Sequence, residues 1–388
     1  MTLRVVFVNH STEPGGAELA LVRLLEAGFD QWSATVVTPR GSAGAFARLA
    51  EVPNIKHLFL GPPLRPGASS AGLRGQVRNL LDVGRQLTAL ALSEDVRRSD
   101  VLYANSARAA VYTTIGGRLL GRPVVVHLRD SVDRAALGPV GYFAVSKVVL
   151  PLASGVIANS QFTLSTALAA HPRIKVSTVI SSPVQEASDR PTAPLRREVR
   201  VVGMLARLAP WKGQHLVIEA FARAFPTENC QLLLAGAPLF GEADYLGELR
   251  LLAEQLGIAE RVQFLGHVDD AMSFIDGLDI AVQYSTRPEP LGQNVLQYLA
   301  RGRPTIAADE GGPAESIKSG ASGVLVQARD VAALAEALRR LALDHDARRL
   351  LGAAAESSPV TMTNDVVAQT ADFLRHVRAS RRSRRWPR

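Results

Sequence analysis

The chain has 388 residues, which is too long for one ordinary hydrophobic core and predicts two domains. With 47% hydrophobic and 21% charged residues, the composition is that of a globular protein and excludes disorder along the whole chain. The single cysteine, Cys230, excludes an internal disulfide framework and fits a reducing compartment.

The formal net charge of +8 is distributed unevenly. Residues 1–190 hold 20 basic and 13 acidic side chains, residues 191–374 hold 17 and 23, and residues 375–388 hold seven arginines and no acid. A basic N-terminal half could face an anionic partner, such as a phosphorylated acceptor or a membrane surface. Specific nucleic-acid binding is disfavoured, because the arginine-rich tail offers only Trp386 for base stacking.

Neither a secretion signal nor a membrane span is predicted. Met1 leads directly into the strand-like stretch Leu3 to Val8, without the basic and apolar regions of a signal peptide. The most apolar run, Phe143 to Ala158, contains Lys147 and Pro151 and is too short and broken to cross a bilayer. We expect a cytoplasmic protein, and the basic N-terminal half leaves peripheral contact with the inner membrane face open.

In the N-terminal half, strand and helix patterns alternate, which is typical of a parallel sheet covered by helices. The first strand leads to Gly15-Gly16, whose small size lets backbone approach a ligand closely, although packing alone explains such glycines equally well. The turn lacks the Gly-x-Gly-x-x-Gly spacing of dinucleotide sites, so a nicotinamide cofactor is disfavoured. His127 ends a later strand, and we expect it to face a crevice rather than the core.

Two further features of this half could contact an acceptor. The Pro/Gly/Ser-rich stretch Gly61 to Gly72 is either an acceptor lid or a variable surface loop. The helix after it places Arg74, Arg78 and Arg85 on one face, which fits a solvated surface or contact with an acceptor or membrane.

Asp189 to Arg200, rich in proline and charge, is predicted to link this half to a second α/β half. The strand Val199 to Met204 then leads to Arg207 and Lys212, which bracket a turn before a helix. Two cations at a strand end can neutralise a diphosphate. An arginine and a lysine at this spacing are weak evidence when taken alone.

A second loop of this half follows another buried strand. Pro288 to Gly292 breaks the strand pattern and places Glu289 in the loop, and a short amphipathic helix begins at Gln293. The amides of residues 291–294 are then expected to point outward at a helix N-terminus, which is a ready anion site. An ordinary strand-loop-helix unit without a ligand would show the same pattern.

Two acidic clusters could be mistaken for metal sites. We expect Asp269-Asp270 to cap a helix and residues 344–346 to form a solvated turn between helices. Neither a metal ion nor a cofactor is expected.

Together these motifs resemble retaining glycosyltransferases of the GT-B fold, in particular family 4, the glycosyl transferases group 1. Glu289 matches the first glutamate of the family signature, and Gln297 stands where the second glutamate is found eight residues later. Arg207 and Lys212 match a second signature. The resemblance is strong from about residue 201 to residue 376 and thinner before it.

The resemblance implies an α/β fold of two Rossmann-like doubly wound domains that face each other across a cleft. Residues 1–188 would be the acceptor side, with a C-terminal helix at about 364–380 packing back on it, and residues 198–363 would bind the donor. The implied reaction moves a sugar from a nucleotide diphosphate sugar to an acceptor hydroxyl, with retained configuration and without a metal. A sugar-nucleotide epimerase of the same fold and an inactive nucleotide-sugar-binding partner remain open.

The resemblance also implies roles at matching positions. Arg207 and Lys212 would hold the donor phosphates, Glu289 would lie against the donor sugar, and His127 would lie beside it. Gln297 would lie by the ribose, where it keeps an acceptor oxygen but lacks the charge of the family's glutamate. The other residues expected at the donor are Gly15, Gly16, Leu291, Gly292, Gln293, Asn294 and His267. The sugar, base, acceptor and oligomeric state are not predicted.

Overall fold

The computed structural model describes residues 2–41, 43–62, 73–184, 193–227, 229–238, 242–357 and 363–382. The chain divides into two compact units, the first of Met1–Pro183 with Met362–Arg388 and the second of Val184–Thr361. The sequence places the division between residues 188 and 198, and residues 185–192 of that predicted linker lie outside the described residues.

The first unit alternates strands and helices along the chain. Its elements are β1 (Leu3–Val8), α1 (Gly16–Ala27), β2 (Trp32–Thr38), a 3₁₀ helix (Gly44–Glu51), β3 (Ile55–Phe59), α2 (Leu73–Leu92), α3 (Glu94–Arg98), β4 (Val101–Ala104), α4 (Ala107–Leu119), β5 (Val124–Leu128), α5 (Arg134–Ala144), a π-helical turn (Val145–Val149), α6 (Leu150–Leu152), β6 (Gly155–Ala158), α7 (Gln161–Ala170) and β7 (Ser177–Val179). Among the described residues, seven strands pair in the order β3-β2-β1-β4-β5-β6-β7, and every pairing is parallel.

The second unit repeats this design with a separate core. Its elements are β8 (Val201–Leu205), a 3₁₀ turn (Pro210–Lys212), α8 (Gln214–Ala224), β9 (Gln231–Ala235), α9 (Ala243–Gln255), a 3₁₀ turn (Ala259–Arg261), β10 (Val262–Gly266), α10 (Ala271–Asp276), β11 (Ile280–Gln283), α11 (Gln293–Ala300), β12 (Thr305–Ala308), α12 (Gly311–Ser316), β13 (Val324–Val326), α13 (Val331–Leu343) and α14 (His345–Glu356). In the part of the chain that the structure describes, six parallel strands pair in the order β10-β9-β8-β11-β12-β13.

Strand order reverses beside β8 in the second sheet, because β8 pairs with β9 on one side and with β11 on the other. The loops that leave the carboxyl ends of β8 and β11 begin at this reversal, which is where ligands bind in open parallel sheets. These two loops carry Arg207, Lys212 and Glu289, so topology alone brings the predicted cations and carboxylate to one edge.

The last helix, α15 (Thr363–Arg382), returns to the first unit. One face of it joins that unit's core through Val366, Val367, Ala371, Leu374 and Val377. The first unit is therefore closed by residues that follow the second unit in sequence.

One helical segment, Arg134–Leu152, is long and apolar enough to cross a membrane by length and composition alone. Its helix is interrupted, since Gly138 has φ 68° and ψ 169° and Pro139 follows it. A bilayer offers no partner for backbone groups freed by such a break. Val145 and Val149 at its C-terminal end are buried in the core of the first unit.

Several sequence expectations fall in this unit. The proposed acceptor lid lies largely outside the described residues, at positions 63–72. On the helix after it, Arg85 forms an ion pair with Asp82 at 3.0 Å and Arg78 is exposed. The segment Gly44–Glu51, between β2 and β3, is a 3₁₀ helix.

Candidate active site

Lys212 and Glu289 form an ion pair between the loops after β8 and β11. Lys212 Nζ donates to Glu289 Oε1, and only 13% and 10% of the two side chains are exposed. A buried carboxylate without a partner would be costly, so each charge depends on the other. Because an ammonium has three N–H donors, Lys212 keeps donors for a further acceptor.

The second carboxylate oxygen of Glu289 is also bonded. Ser285 Oγ donates to Glu289 Oε2 at 2.7 Å, and Gln283 Nε2 donates to the same atom at 2.9 Å. Burial by itself would raise the pKa of Glu289, but the charge of Lys212 and these hydrogen bonds outweigh burial and lower the pKa below its usual value. Glu289 is therefore ionised at neutral pH and its oxygens are held in place.

Arg207 forms an ion pair with Glu242, with 2.6 Å between NH1 and Oε2. Its side chain is 28% exposed and that of Glu242 is 22% exposed. The predicted phosphate-binding arginine thus lies at the edge of the site with a carboxylate on its guanidinium. A phosphate group could replace that carboxylate, since both present oxygens that suit a guanidinium fork.

Two glycines allow the site loops to approach each other. Gly213 has φ +76°, and a Cβ atom there would lie 2.0 Å from the carbonyl oxygen of Tyr284. Gly311 has φ +67°, and its Cβ would lie 2.4 Å from the carbonyl oxygen of Glu289. Any other residue would push the loop carrying Glu289 away from its neighbours.

The N-terminus of α11 follows the loop of Glu289. Gly292 precedes the helix with φ +75°. The side chain of Asn294 is used within the protein, because its Oδ1 accepts from the N–H of Val295 at 3.0 Å and its Nδ2 donates to the carbonyl of Leu205 at 3.1 Å. The anion site at the backbone amides of residues 291–294 stays a prediction.

Gln297 and His267 differ in their surroundings. Gln297 is buried on α11, one turn beyond Asn294, with 7% of the residue exposed. The His267 side chain is 71% exposed and lies 3.6 Å from Asp269. The next acid, Asp270, caps α10 by accepting the N–H of Ser273 at 2.9 Å, which confirms its predicted capping role.

In the first unit, Gly15 precedes α1 and lies against Glu18. A Cβ atom on Gly15 would come within 2.7 Å of Glu18 Oε2, so the absence of a side chain leaves room for this carboxyl. Burial raises the pKa of Glu18, although the hydrogen bond from Asn9 Nδ2 to Oε1, at 3.0 Å, acts in the opposite direction. Gly16 is the first residue of the helix.

His127 is buried within β5, with 2% of the residue exposed. Its Nδ1 is hydrogen-bonded to the hydroxyl of Tyr103. Among the described residues, its Nε2 has no hydrogen-bond partner. Burial and the charge of Arg129 hold the pKa of His127 well below its usual value, so the ring is neutral.

Arg129, which the sequence did not single out, organises the polar edge of the first sheet. Its Nε and NH2 both donate to Asn105 Oδ1, at 3.1 and 2.9 Å, and its NH1 donates to Ser182 Oγ at 2.8 Å. The side chain thereby joins the ends of β4 and β7. The signal available in the sequence was its position directly after a buried strand, which does not reveal that the guanidinium is buried.

The predicted residues thus fall into two groups. Gly15, Gly16 and His127 belong to the first unit, and the remaining ones belong to the second unit. Ser285 and Gln283, which hold Glu289, were not expected from the sequence. Within the described ranges, no group of three or more His, Cys, Asp or Glu side chains could hold a metal ion.

A family of known proteins matches the second unit. The sequence model of the family described as Glycosyl transferases group 1 matches residues 185–358. Residues 185–358 are similar to the group 1 glycosyltransferases, over a stretch that contains both site loops and α11.

Relatives of this chain include the lipopolysaccharide core biosynthesis glycosyltransferase LpsE of Rhizobium meliloti, which is 32% identical over 165 residues, 42% of this chain and 46% of that protein. A GDP-mannose-dependent phosphatidylinositol monomannoside mannosyltransferase of Mycobacterium tuberculosis is 32% identical over 204 residues, 49% of this chain and 52% of that protein. The chain spans about half the length of these curated relatives.

Solved structures match over both units. Anabaena HepE in complex with UDP and glucose is 28% identical, with a TM-score of 0.79 over 96% of this chain and 99% of HepE. The two Rossmann-like parallel-sheet units therefore have the GT-B fold that the resemblance implied.

Proposed function

We propose that this protein is a retaining glycosyltransferase of family 4 that moves a sugar from a nucleoside diphosphate sugar to an acceptor hydroxyl. The observation that carries the proposal is the buried Lys212–Glu289 pair beside Arg207, at the strand-order reversal of a unit similar to the group 1 glycosyltransferases. Positive charge at that edge acts where the leaving diphosphate gains negative charge.

Each residue has a defined task in this reaction. Arg207 and Lys212, with the first amides of α11 at Leu291, Gly292, Gln293 and Asn294, stabilise the departing diphosphate. Glu289 accepts hydrogen bonds from the donor sugar, because it is ionised and its oxygens are already oriented. Breaking the sugar–phosphate bond leaves the electron pair on the diphosphate oxygen, and the acceptor hydroxyl gives its proton to the departing diphosphate as the new bond to the sugar forms.

The remaining predicted residues complete the donor site in the proposal. Gln297 lies by the ribose, and the backbone near His267 lies by the base. His127 supplies a neutral ring beside the sugar, with Nε2 as the atom left for a ligand. Gly15 and Gly16 leave room for the acceptor.

The donor that the comparisons favour is a UDP-sugar. HepE, which aligns with this chain over nearly its whole length, has been solved with UDP, with UDP and glucose, and with UDP-glucose. The M. tuberculosis relative uses GDP-mannose, as its name states, and matches 49% of this chain. UDP is therefore the nucleotide to test first.

A transferase is favoured over the two alternatives. Three of the relatives carry glycosyltransferase or mannosyltransferase names, which supports neither an epimerase nor an inactive partner. The proposed reaction needs no metal or other cofactor, because fixed cations and helix amides supply the charge that a metal would otherwise contribute. We also propose a cytoplasmic enzyme whose basic first unit makes peripheral contact with anionic acceptors or membrane lipids.

Product analysis of the purified protein tests this function. Incubation with UDP-glucose, in the presence of ethylenediaminetetraacetate, is expected to release UDP and glucose slowly, with the first-formed glucose in the α configuration. Formation of an isomeric UDP-sugar would identify an epimerase. Binding of UDP without any UDP-sugar turnover, across the common sugars, would identify an inactive partner.

A further inference from the structure

Trp211 is in contact with three cations of the second unit. The centroid of its ring lies 4.2 Å from Lys212 Nζ, 4.3 Å from Arg287 Cζ and 5.8 Å from Arg207 Cζ. All three distances are within the range in which a cation is attracted to an aromatic face, and indole is the strongest such partner among side chains.

The three cations come from two different loops, which meet at the backbone of Trp211. Arg207 and Lys212 belong to the loop after β8, and Arg287 belongs to the loop after β11. The N–H of Thr286 donates to the carbonyl of Trp211 at 2.8 Å. The hydroxyl of Thr286 donates to the same carbonyl at 3.3 Å. These two hydrogen bonds fix the backbone of Trp211 at the place where the two loops meet. The same contact brings Arg287 next to the other two cations.

Holding three positive charges around one ring is electrostatically unfavourable unless something offsets the repulsion. The negative face of the indole offsets part of it, and Glu289 and Glu242 offset part of it through Lys212 and Arg207. A bound polyanion would offset it further. The arrangement therefore suits a ligand with several closely spaced negative charges, such as a pyrophosphoryl group.

We propose that Arg287 is a third cation of the diphosphate site and that Trp211 is the positioning residue that holds Arg207, Lys212 and Arg287 together. This inference rests on the proposed function for the identity of the donor. The affinity of the cation cluster for pyrophosphate is nevertheless measurable without turnover, which separates the two tests.

The position of Trp211 allows a discriminating pair of substitutions. Phenylalanine keeps an aromatic face on the same backbone, whereas leucine fills space without attracting cations. A purely structural role would make both variants similar. A role in holding cations would make Trp211→Phe resemble the wild type and Trp211→Leu resemble Arg287→Gln.

The test is calorimetric titration of the full chain with inorganic pyrophosphate and, separately, with UDP. Trp211→Leu and Arg287→Gln are each expected to weaken pyrophosphate binding by about 10-fold or more, and Trp211→Phe by less than about threefold. Arg250→Gln is the matched control, because Arg250 lies 6.0 Å over the Phe264 ring, on α9 of the same unit and outside the two loops. It is expected to leave the affinity unchanged.

Wild-type affinity for pyrophosphate in both Trp211→Leu and Arg287→Gln would overturn the inference and leave the proposed function standing. A wild-type protein that binds neither pyrophosphate nor UDP would overturn both. Pyrophosphate binding with the expected dependence, but without turnover of any UDP-sugar, would support the cluster and count against the transferase. If Trp211→Leu does not fold, Arg287→Gln and Trp211→Phe still decide the matter.

Discussion

Glu289 is a buried carboxylate whose charge depends on Lys212. In the wild type its pKa is lowered, so its pairing stabilises the fold at neutral pH and that stabilisation is lost as the pH falls below the usual carboxyl range. Without the lysine, burial would dominate and raise the pKa of Glu289 above its value in the unfolded chain. Replacing Lys212 should therefore reverse the sign with which protonation of Glu289 changes the free energy of unfolding.

We expect Lys212→Met to lower the free energy of unfolding by about 3–5 kcal/mol at about pH 7, because it leaves a buried charge unpaired. The deficit should shrink as the pH falls from neutral towards the usual carboxyl range, because the carboxyl of the variant takes up a proton. Thermal unfolding across this range measures it, with Lys212→Met/Glu289→Gln as the control. A deficit that does not depend on pH, or that is equal in the double variant, would contradict this account of Glu289.

Arg207 is the second site residue whose ion-pair partner should affect ligand binding. Glu242 holds its guanidinium at 2.6 Å and would compete with a donor phosphate. Replacing Glu242 by Gln removes the competing charge, and we expect UDP to bind about 3- to 10-fold more tightly. Glu26→Gln, which breaks the ion pair with Arg48 in the first unit, is the control. Unchanged or weaker UDP binding in Glu242→Gln would show that Glu242 supports the site instead of competing for it.

At the residue scale, the sequence predicted which charged side chains form the candidate site, but it did not predict how buried they are or which side chains surround them. Glu289, Arg207 and Lys212 were found because their positions after strands follow known signatures. The burial of Arg129 and the cations around Trp211 were not found, because a single charged or aromatic residue after a strand has the same appearance whether it is exposed or buried. Gln283 and Ser285 looked like ordinary strand-end residues.

At the scale of elements, α15 is the feature with the clearest energetic consequence. Leu374 on this helix is fully buried in the core of the first unit, with Phe7 and Leu21 in the same cluster. The helix follows the second unit in the chain, yet its apolar face completes the first. The sequence predicted the helix from its amphipathic pattern, whereas its destination came from the family resemblance alone.

Leu374→Ala is expected to lower the free energy of unfolding of the first unit by about 2–5 kcal/mol, through lost burial and the cavity left behind. Leu343→Ala is the matched control, because Leu343 ends α13 with 84% of the residue exposed, and it should change stability by less than about 0.5 kcal/mol. Scanning calorimetry measures both. Equal effects of the two substitutions would mean that α15 contributes little to the core.

The elements also show where local patterns fail. The side chains of Ser106, Ser160 and Asp270 cap the helices that follow them, and residues of these types mark helix starts in a sequence. The stretch Gly44–Glu51 has a helical apolar pattern, yet it forms a 3₁₀ helix. A short run of three or four apolar residues does not distinguish the two helix types, because both place residues three positions apart on nearly the same side.

At the scale of the whole molecule, alternation of strands and helices was enough to predict two parallel-sheet units. The thinner resemblance of the N-terminal half has a counterpart in the comparisons, since the family match begins at residue 185 and the solved structures extend over both units. The acceptor could not be predicted, because the polar edge of the first unit includes side chains such as Arg129 that carry no recognisable motif.

The central claim is that fixed cations of the second unit stabilise a departing diphosphate. UDP release from UDP-glucose by wild type and Lys212→Ala tests it most directly, with Lys318→Ala as a control for an exposed lysine of the same unit. We predict that Lys212→Ala lowers the turnover number by at least about 100-fold. We expect Lys318→Ala to remain within about twofold of the wild type. Turnover by Lys212→Ala at the wild-type rate would contradict the claim.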